Sequence, residues 1–171
     1  MRHALVLGSA SCLPDDVAAA PPFAGVVAAK DAAWWWPGPL DAAVGFHPQE
    51  WPRILSLRAQ RCYPAPDRVV SFWSPRRSLT SAEWAEWQFP GGSGNGSSGL
   101  FAAKVALVDL GFDRVTLCGV PLTVTDHITG PDTPFRNALD WRKAWADLAP
   151  EWRARMRSMS GWTRQLLGGP D

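Results

Sequence analysis

Short apolar runs that alternate with stretches of helical spacing constrain this chain more than any other feature of its sequence. Residues 4–7, 25–28, 42–46, 68–73, 115–118 and 155–159 read as strands. Their near-continuous apolarity marks strands buried on both faces, which belong to parallel sheets covered by helices. Between them, residues 14–20, 31–36, 48–61, 81–88, 100–110, 135–148 and 163–167 read as helices or helical turns. In the third of these, Pro48 suits a first turn, and Trp51, Ile54, Leu55 and Arg58 recur at helical spacing. The 100–110 helix is the best defined, with Ser97 or Ser98 to cap its start and Gly111 beyond its end. No internal repeat or second domain is visible. The expected architecture is a single three-layer Rossmann-like α/β domain over residues 1–171, with a mostly parallel sheet of about six strands.

Such a sheet needs a core, and 171 residues with 46% hydrophobic and 19% charged content supply one. With a mean hydropathy of −0.13, that content excludes disorder as the main state. No run approaches the ~18–20 consecutive apolar residues that cross a bilayer, so a membrane span is excluded. A net charge of +1 offers no bulk attraction to polyanions, and nucleic acid is not an expected partner. Cys12, Cys62 and Cys118 form no Cys-x-x-Cys pair, which argues against a disulfide framework or a zinc site and fits a reducing compartment. Gly8, Ser9 and Ser11 interrupt the first apolar stretch, and Asp15 and Asp16 stand where a signal peptide avoids acids. The expected location is therefore the cytoplasm. Eleven Trp against one Tyr, with abundant Ala, Arg and Pro, read more simply as a GC-rich genome than as a function.

Open parallel sheets bind ligands outside the carboxyl ends of their strands. That rule singles out residues 8–11, 29–31, His47, 74–77 and 121–127, with the 91–99 loop that enters the best helix. In that loop Gly96 and Gly99 permit close backbone approach, Ser97 and Ser98 add hydroxyls, and a helix start favours an anion. A phosphate, diphosphate or carboxylate is the natural guest; a flexible loop with an ordinary serine cap is the plainer alternative. The spacing Gly94-x-Gly96-x-x-Gly99 matches a dinucleotide fingerprint only formally, because no acidic residue follows about 20 positions on. No Lys-Ser/Thr pair follows the glycines, so a P-loop is excluded. Gly8, Ser9 and Ser11 form a second small turn at the same edge. His47 and His127 follow strands and suit general-base roles, with a hydrogen-bonded structural role as the alternative for each. Two histidines without a third clustered ligand make no metal site. Lys30 and Asp31 could read a ribose or a phosphate, or form a solvated pair; Arg76 and Arg77 could neutralise a diphosphate, or lie exposed. Trp34, Trp35 and Trp36 cannot all face one way, so this Trp-rich surface packs under the sheet edge, stacks a base, or meets another subunit or protein. Arg153, Arg155 and Arg157 alternate like a solvated strand face.

The stretch Ser97-Ser98-Gly99-Leu100, a helix, then Leu110-Gly111-Phe112-Asp113-Arg114-Val115-Thr116-Leu117-Cys118-Gly119-Val120 resembles the second signature block of bacterial small sialyltransferases. It is also similar to the matching block of the archaeal-type hydroxymethylpterin diphosphokinase-like family. Val6-Leu7-Gly8-Ser9-Ala10-Ser11-Cys12-Leu13 is similar to their Gly-Asn-Gly-Pro-Ser-Leu turn, with Ser9 in place of the amide. In the sialyltransferases these loops hold a cytidine nucleotide, so the resemblance implies ligand contacts at Gly8, Ser9, Ser11, Asn95, Ser97, Ser98 and Gly99. Gly96 and Asp31 complete the candidate set. His47-Pro48-Gln49-Glu50, residues 97–120 and Arg157-Ser158-Met159-Ser160-Gly161-Trp162-Thr163 resemble a Rossmann-like phage and prophage family without an assigned activity. A phage context, and then the host cytoplasm, is implied. Two features depart from the sialyltransferase pattern: Lys30 and Asp31 replace an Asn after the second strand, and no histidine block follows His127. The expected ligand is a nucleotide or nucleotide-sugar, and the sequence points to no particular cofactor. The expected role is group transfer from that donor, or else a non-catalytic phage accessory or assembly protein with a homo-oligomeric or phage partner.

Overall fold

A computed structural model describes residues 1–72, 82–92, 96–130 and 138–170. Each of the six expected strands forms. They are β1 (His3–Leu7), β2 (Gly25–Ala29), β3 (Ala42–Gly45), β4 (Val69–Phe72), β6 (Arg114–Cys118) and β7 (Met156–Ser158). A seventh strand, β5 (Glu83–Ala85), lies where the sequence suggests a helix over 81–88. Backbone pairing decides against the helix. Val70, Ser71 and Phe72 of β4 align with Glu83, Trp84 and Ala85, Arg68 Nε bonds Glu83 Oε2 at 2.9 Å, and the Trp87 ring meets Phe46 and Phe72 edge-on.

The sheet runs β5-β4-β3-β2-β1-β6-β7, and every pairing is parallel. Period-two alternation splits each strand between two cores. Ala4 and Val6 join Val27, Val44 and Phe101 on one face, whereas Leu5 and Leu7 join Leu13, Val26 and Ile54 on the other. The second face is covered by α1 (Leu13–Ala18), α2 (Ala32–Trp35) and α3 (Trp51–Gln60). Trp34, Trp35 and Trp36 are all half-buried against this core. Trp34 Nε1 donates to Asp31 and its ring lies under Arg61, so the tryptophan run packs on its own sheet.

The first face is covered by α4 (Ser98–Lys104), α5 (Arg142–Ala146), α6 (Pro150–Ala154) and α7 (Gly161–Leu167). The expected 100–110 helix starts two residues early and continues from α4 into π-helical turns over Val105–Asp109. A π-turn brings residues five apart onto one side, and Lys104, 5% exposed, bonds both Asp109 oxygens at 2.9 Å there. The helix expected over 135–148 is shorter and is followed by α6. Pro150 forces Ala149 into an extended conformation (φ −58, ψ 144) and opens a new helix; residues 135–137 lie outside the described segments. The terminal arginines are not a solvated strand face either. Arg155 donates to the carbonyls of Phe112 at 2.6 Å and Asp113 at 2.9 Å.

Two glycines let the ends of β1 and β6 touch. A Cβ on Gly8 would stand 2.3 Å from the Gly119 carbonyl oxygen, and one on Gly119 would stand 2.6 Å from that of Gly8. Gly119 also has a φ of +68. Gly111 shares that left-handed backbone, with a φ of +67, but a Cβ there meets nothing within 4 Å. Gly111→Ala is therefore expected to lose only ~1 kcal/mol, the left-handed penalty. Gly119→Ala adds steric overlap with main chain and is expected to lose ~2–4 kcal/mol. Urea unfolding of the two variants measures the difference.

Candidate functional site

β1 and β6 are neighbours whose onward connections leave for opposite faces. β1 leads into α1, and β6 leads through residues 119–141 to α5. Diverging connections open a crevice at the strand ends, and a cavity of about 540 Å³ lies there. Gly8, Ser9, Gly96, Ser97, Ser98, Gly99, His47 and His127 all line it, so the structure gathers most of the sequence-derived candidates from four separate segments. Asn95 lies outside the described residues, as do Arg76 and Arg77.

Each candidate arrives with its own constraints. Ser97 caps α4 from an extended backbone, its Oγ accepting the Leu100 N–H at 3.2 Å and the indole N–H of buried Trp145 at 3.3 Å. The amides of Ser98 and Gly99 then sit in the first turn, where no acceptor four residues behind exists within the helix. Gly99 allows that turn to press on the chain just beyond β6, since a Cβ there would stand 2.9 Å from Val120 Cγ1. The Ser9 hydroxyl donates to the Ala29 carbonyl at 3.1 Å and accepts the Ala32 N–H at 3.2 Å, so it stitches β1 to β2 and α2. Ser11 stands outside the cavity lining. Its N–H donates to Asp126 O at 2.9 Å and its Oγ meets Thr125 Oγ1 at 3.1 Å, pinning the 119–130 segment.

Asp31 also stands behind the wall, 8% exposed. Burial alone would raise its pKa. Bonds from Arg53 Nη2 at 2.7 Å and Trp34 Nε1 at 2.8 Å, with the charges of Arg53 and His127, outweigh burial and hold it below the usual carboxylate range. His127 Nε2 lies 3.6 Å from Asp31 Oδ2. Its Nδ1 accepts the Thr129 N–H at 3.2 Å and meets the Thr129 hydroxyl at 2.6 Å. An accepting Nδ1 puts the ring proton on Nε2, facing Asp31. Burial pushes the His127 pKa below its ordinary 6.5; Asp31 pulls it up, while Lys30 and Arg53 push it further down. His47, by contrast, is exposed and precedes a 3₁₀ turn over Pro48–Glu50.

Sequence reasoning did not single out Phe46, Ala138 or Trp141 as site residues; they line the cavity together with Val120 and with Leu122 and Thr123 of the expected 121–127 segment. The 121–127 segment was legible by position, because it follows a strand end. Two non-glycine residues in the wall, Lys30 (φ 50) and Leu122 (φ 46), adopt left-handed backbone. Two thiols are excluded as nucleophiles: burial pushes Cys118 up to about 12 and Cys12 up to about 11. Among the described residues no group of three or more His, Cys, Asp or Glu is arranged to hold a metal, and no helix is long and apolar enough to cross a membrane.

No family model and no curated protein matches the chain. A solved structure does. The sialyltransferase CstII from Campylobacter jejuni, in complex with a substrate analogue, cytidine-5′-monophosphate, aligns with a TM-score of 0.61 at 10% sequence identity, over 100% of this chain and 86% of that chain. Likeness at that identity shows a shared fold, and it agrees with the distant resemblance carried by residues 97–120.

The depressed pKa of His127 sets a pH dependence of stability. Below its ordinary 6.5 the unfolded imidazole binds a proton that the folded one resists, so stability is present at neutral pH and is lost as pH falls through that value. Thermal unfolding from pH 7.5 to 5 is expected to show a falling Tm, and His127→Gln is expected to flatten that slope. A wild-type Tm that holds steady or rises on acidification contradicts this.

Proposed function

We propose that the chain binds a nucleotide or nucleotide-sugar in the crevice between β1 and β6 and transfers the sugar to an acceptor hydroxyl. One observation carries this reading. The cavity of about 540 Å³ opens at the switch point of a fold shared end to end with a structure that holds cytidine-5′-monophosphate. Its volume falls in the ~300–1,000 Å³ range of small-molecule sites.

The first-turn amides of α4 and the Ser98 hydroxyl supply donors for a phosphate, where the helix dipole favours negative charge. Phe46 and Trp141 supply apolar surface for a base or ribose. In the transfer, the acceptor oxygen bonds to the anomeric carbon as the bond from that carbon to a phosphate oxygen breaks. The bonding electrons leave with the nucleotide, whose charge the α4 start stabilises. The acceptor's proton goes to a base, and exposed His47 suits that role better than His127, whose ring nitrogens face Thr129 and Asp31. His127 holds the 119–130 segment in place. A reducing cytoplasm, the host's if the chain is phage-encoded, fits the three free cysteines.

The same engagement of His127 favours the second reading, a non-catalytic binding or assembly protein on this fold. Thermal shifts with millimolar CMP, CDP, CMP-sugars, UDP-sugars, ATP and S-adenosylmethionine separate the two. Cytidine nucleotides are expected to raise Tm by ~2–4 °C or more, and Ser98→Ala to weaken them ~3–10-fold without lowering stability. His47→Ala is expected to cut turnover ~10²–10⁴-fold while sparing donor binding. No shift with any ligand favours the non-catalytic reading.

A further inference from the structure

Lys30 stands where β2 leaves the sheet, and its φ of +50 is left-handed. A Cβ disfavours that conformation, whereas glycine adopts it freely. The main chain there is fully used: the N–H donates to Val44 O at 2.9 Å and the carbonyl accepts the Ala33 N–H at 3.0 Å. The turn is thus imposed by the sheet, and a lysine occupies it at a conformational cost. Its stem passes over Gly45, where a Cβ would stand 3.6 Å from Lys30 Cγ. Lys30 lines the cavity, and its ammonium stands 3.5 Å from Glu50 Oε2, with the two side chains 33% and 32% exposed. That separation is longer than a charge-assisted hydrogen bond, so Glu50 steadies the ammonium without sequestering it. Asp31, next in sequence, is held away by Arg53. Among the described residues of the lining, Lys30 carries the permanent positive charge.

We infer that Lys30 is a specificity-determining residue that receives a second anionic group of the ligand, a carboxylate or a phosphate, distinct from the phosphate at the start of α4. The inference rests on the nucleotide-binding reading above. A ligand with one phosphate engages α4 and leaves Lys30 to Glu50. A nucleoside diphosphate, or a nucleotide linked to an acidic sugar, engages both.

Calorimetric titration of CMP, CDP and a CMP-linked carboxylated sugar into wild type and Lys30→Gly tests this. Glycine relaxes the backbone, so the variant is expected to fold with an equal or higher Tm. Wild type is expected to bind CDP or the acidic conjugate at least ~10-fold more tightly than CMP. Lys30→Gly is expected to erase that preference while leaving CMP unchanged, Lys30→Arg to keep it, and Glu50→Gln to enlarge it. A loss confined to CDP assigns a phosphate, and one confined to the conjugate assigns a carboxylate. Equal weakening of all three ligands, or a preference that survives Lys30→Gly, overturns the inference and leaves nucleotide binding standing. Failure of wild type to bind any of the three overturns the nucleotide reading and this one with it.

Discussion

One oxygen of a buried carboxylate ties the crevice together. Asp16, on α1 and 7% exposed, accepts the Gly119 N–H at 2.8 Å and the Ser160 hydroxyl at 2.8 Å through Oδ2. The first helix, the end of β6 and the turn into α7 meet at that atom. Bonds of this kind to a charged acceptor contribute ~1.5–3 kcal/mol each. The amide of Gly119 turns to Asp16 while its carbonyl accepts the Ala10 N–H at 3.2 Å, and a left-handed glycine serves both. Beyond it the chain is clamped again. Thr163 Oγ1 donates to Val120 O at 2.5 Å, and the Trp162 N–H donates to Pro121 O at 2.8 Å. The wall from Gly119 to Leu122 is therefore set by contacts that run along its back, away from the cavity.

The opposite wall sorts charge by direction. Adjacent residues Lys30 and Asp31 part at the end of β2: Lys30 lines the cavity and its ammonium meets Glu50, whereas the Asp31 carboxylate meets Arg53 and His127. A carboxylate inside the crevice would repel an anionic guest, so its capture by Arg53 matters as much electrostatically as the presence of the lysine.

Much of this was legible because the elements are strongly patterned. The buried strands could be read from uninterrupted apolar runs, and the α4 start from serines before an apolar helix with Gly111 behind it. β5 was not legible. Three residues paired through backbone, with a half-exposed Trp84, carry no periodicity that outweighs a helical reading. Ser97 was legible as a helix cap but not as the partner of Trp145, and His127 was legible as a position but not as a role. That Trp145 binds the Ser97 hydroxyl across 48 residues, and that Thr129 and Asp31 face His127, depends on side chains brought together only by the fold. The division between Lys30 and Asp31 was likewise invisible, because two neighbouring charges in a turn do not declare which one faces inward.

Strand order also has a temporal consequence. β1 is central and closes on β6, with the Arg2 amide meeting Asp113 across 111 residues of chain. On a ribosome adding ~5–20 residues per second, the first strand emerges roughly 5–20 s before its second neighbour exists. During that interval β2, β3 and β4 can pair in order along one side, while the other edge of β1 stays open and apolar. The crevice is then assembled last, when β6 and the Gly161–Leu167 helix arrive. Until then the nascent chain presents Leu5 and Val6 on an unpaired edge, a hazard for aggregation that a ribosome-bound chaperone would be well placed to cover.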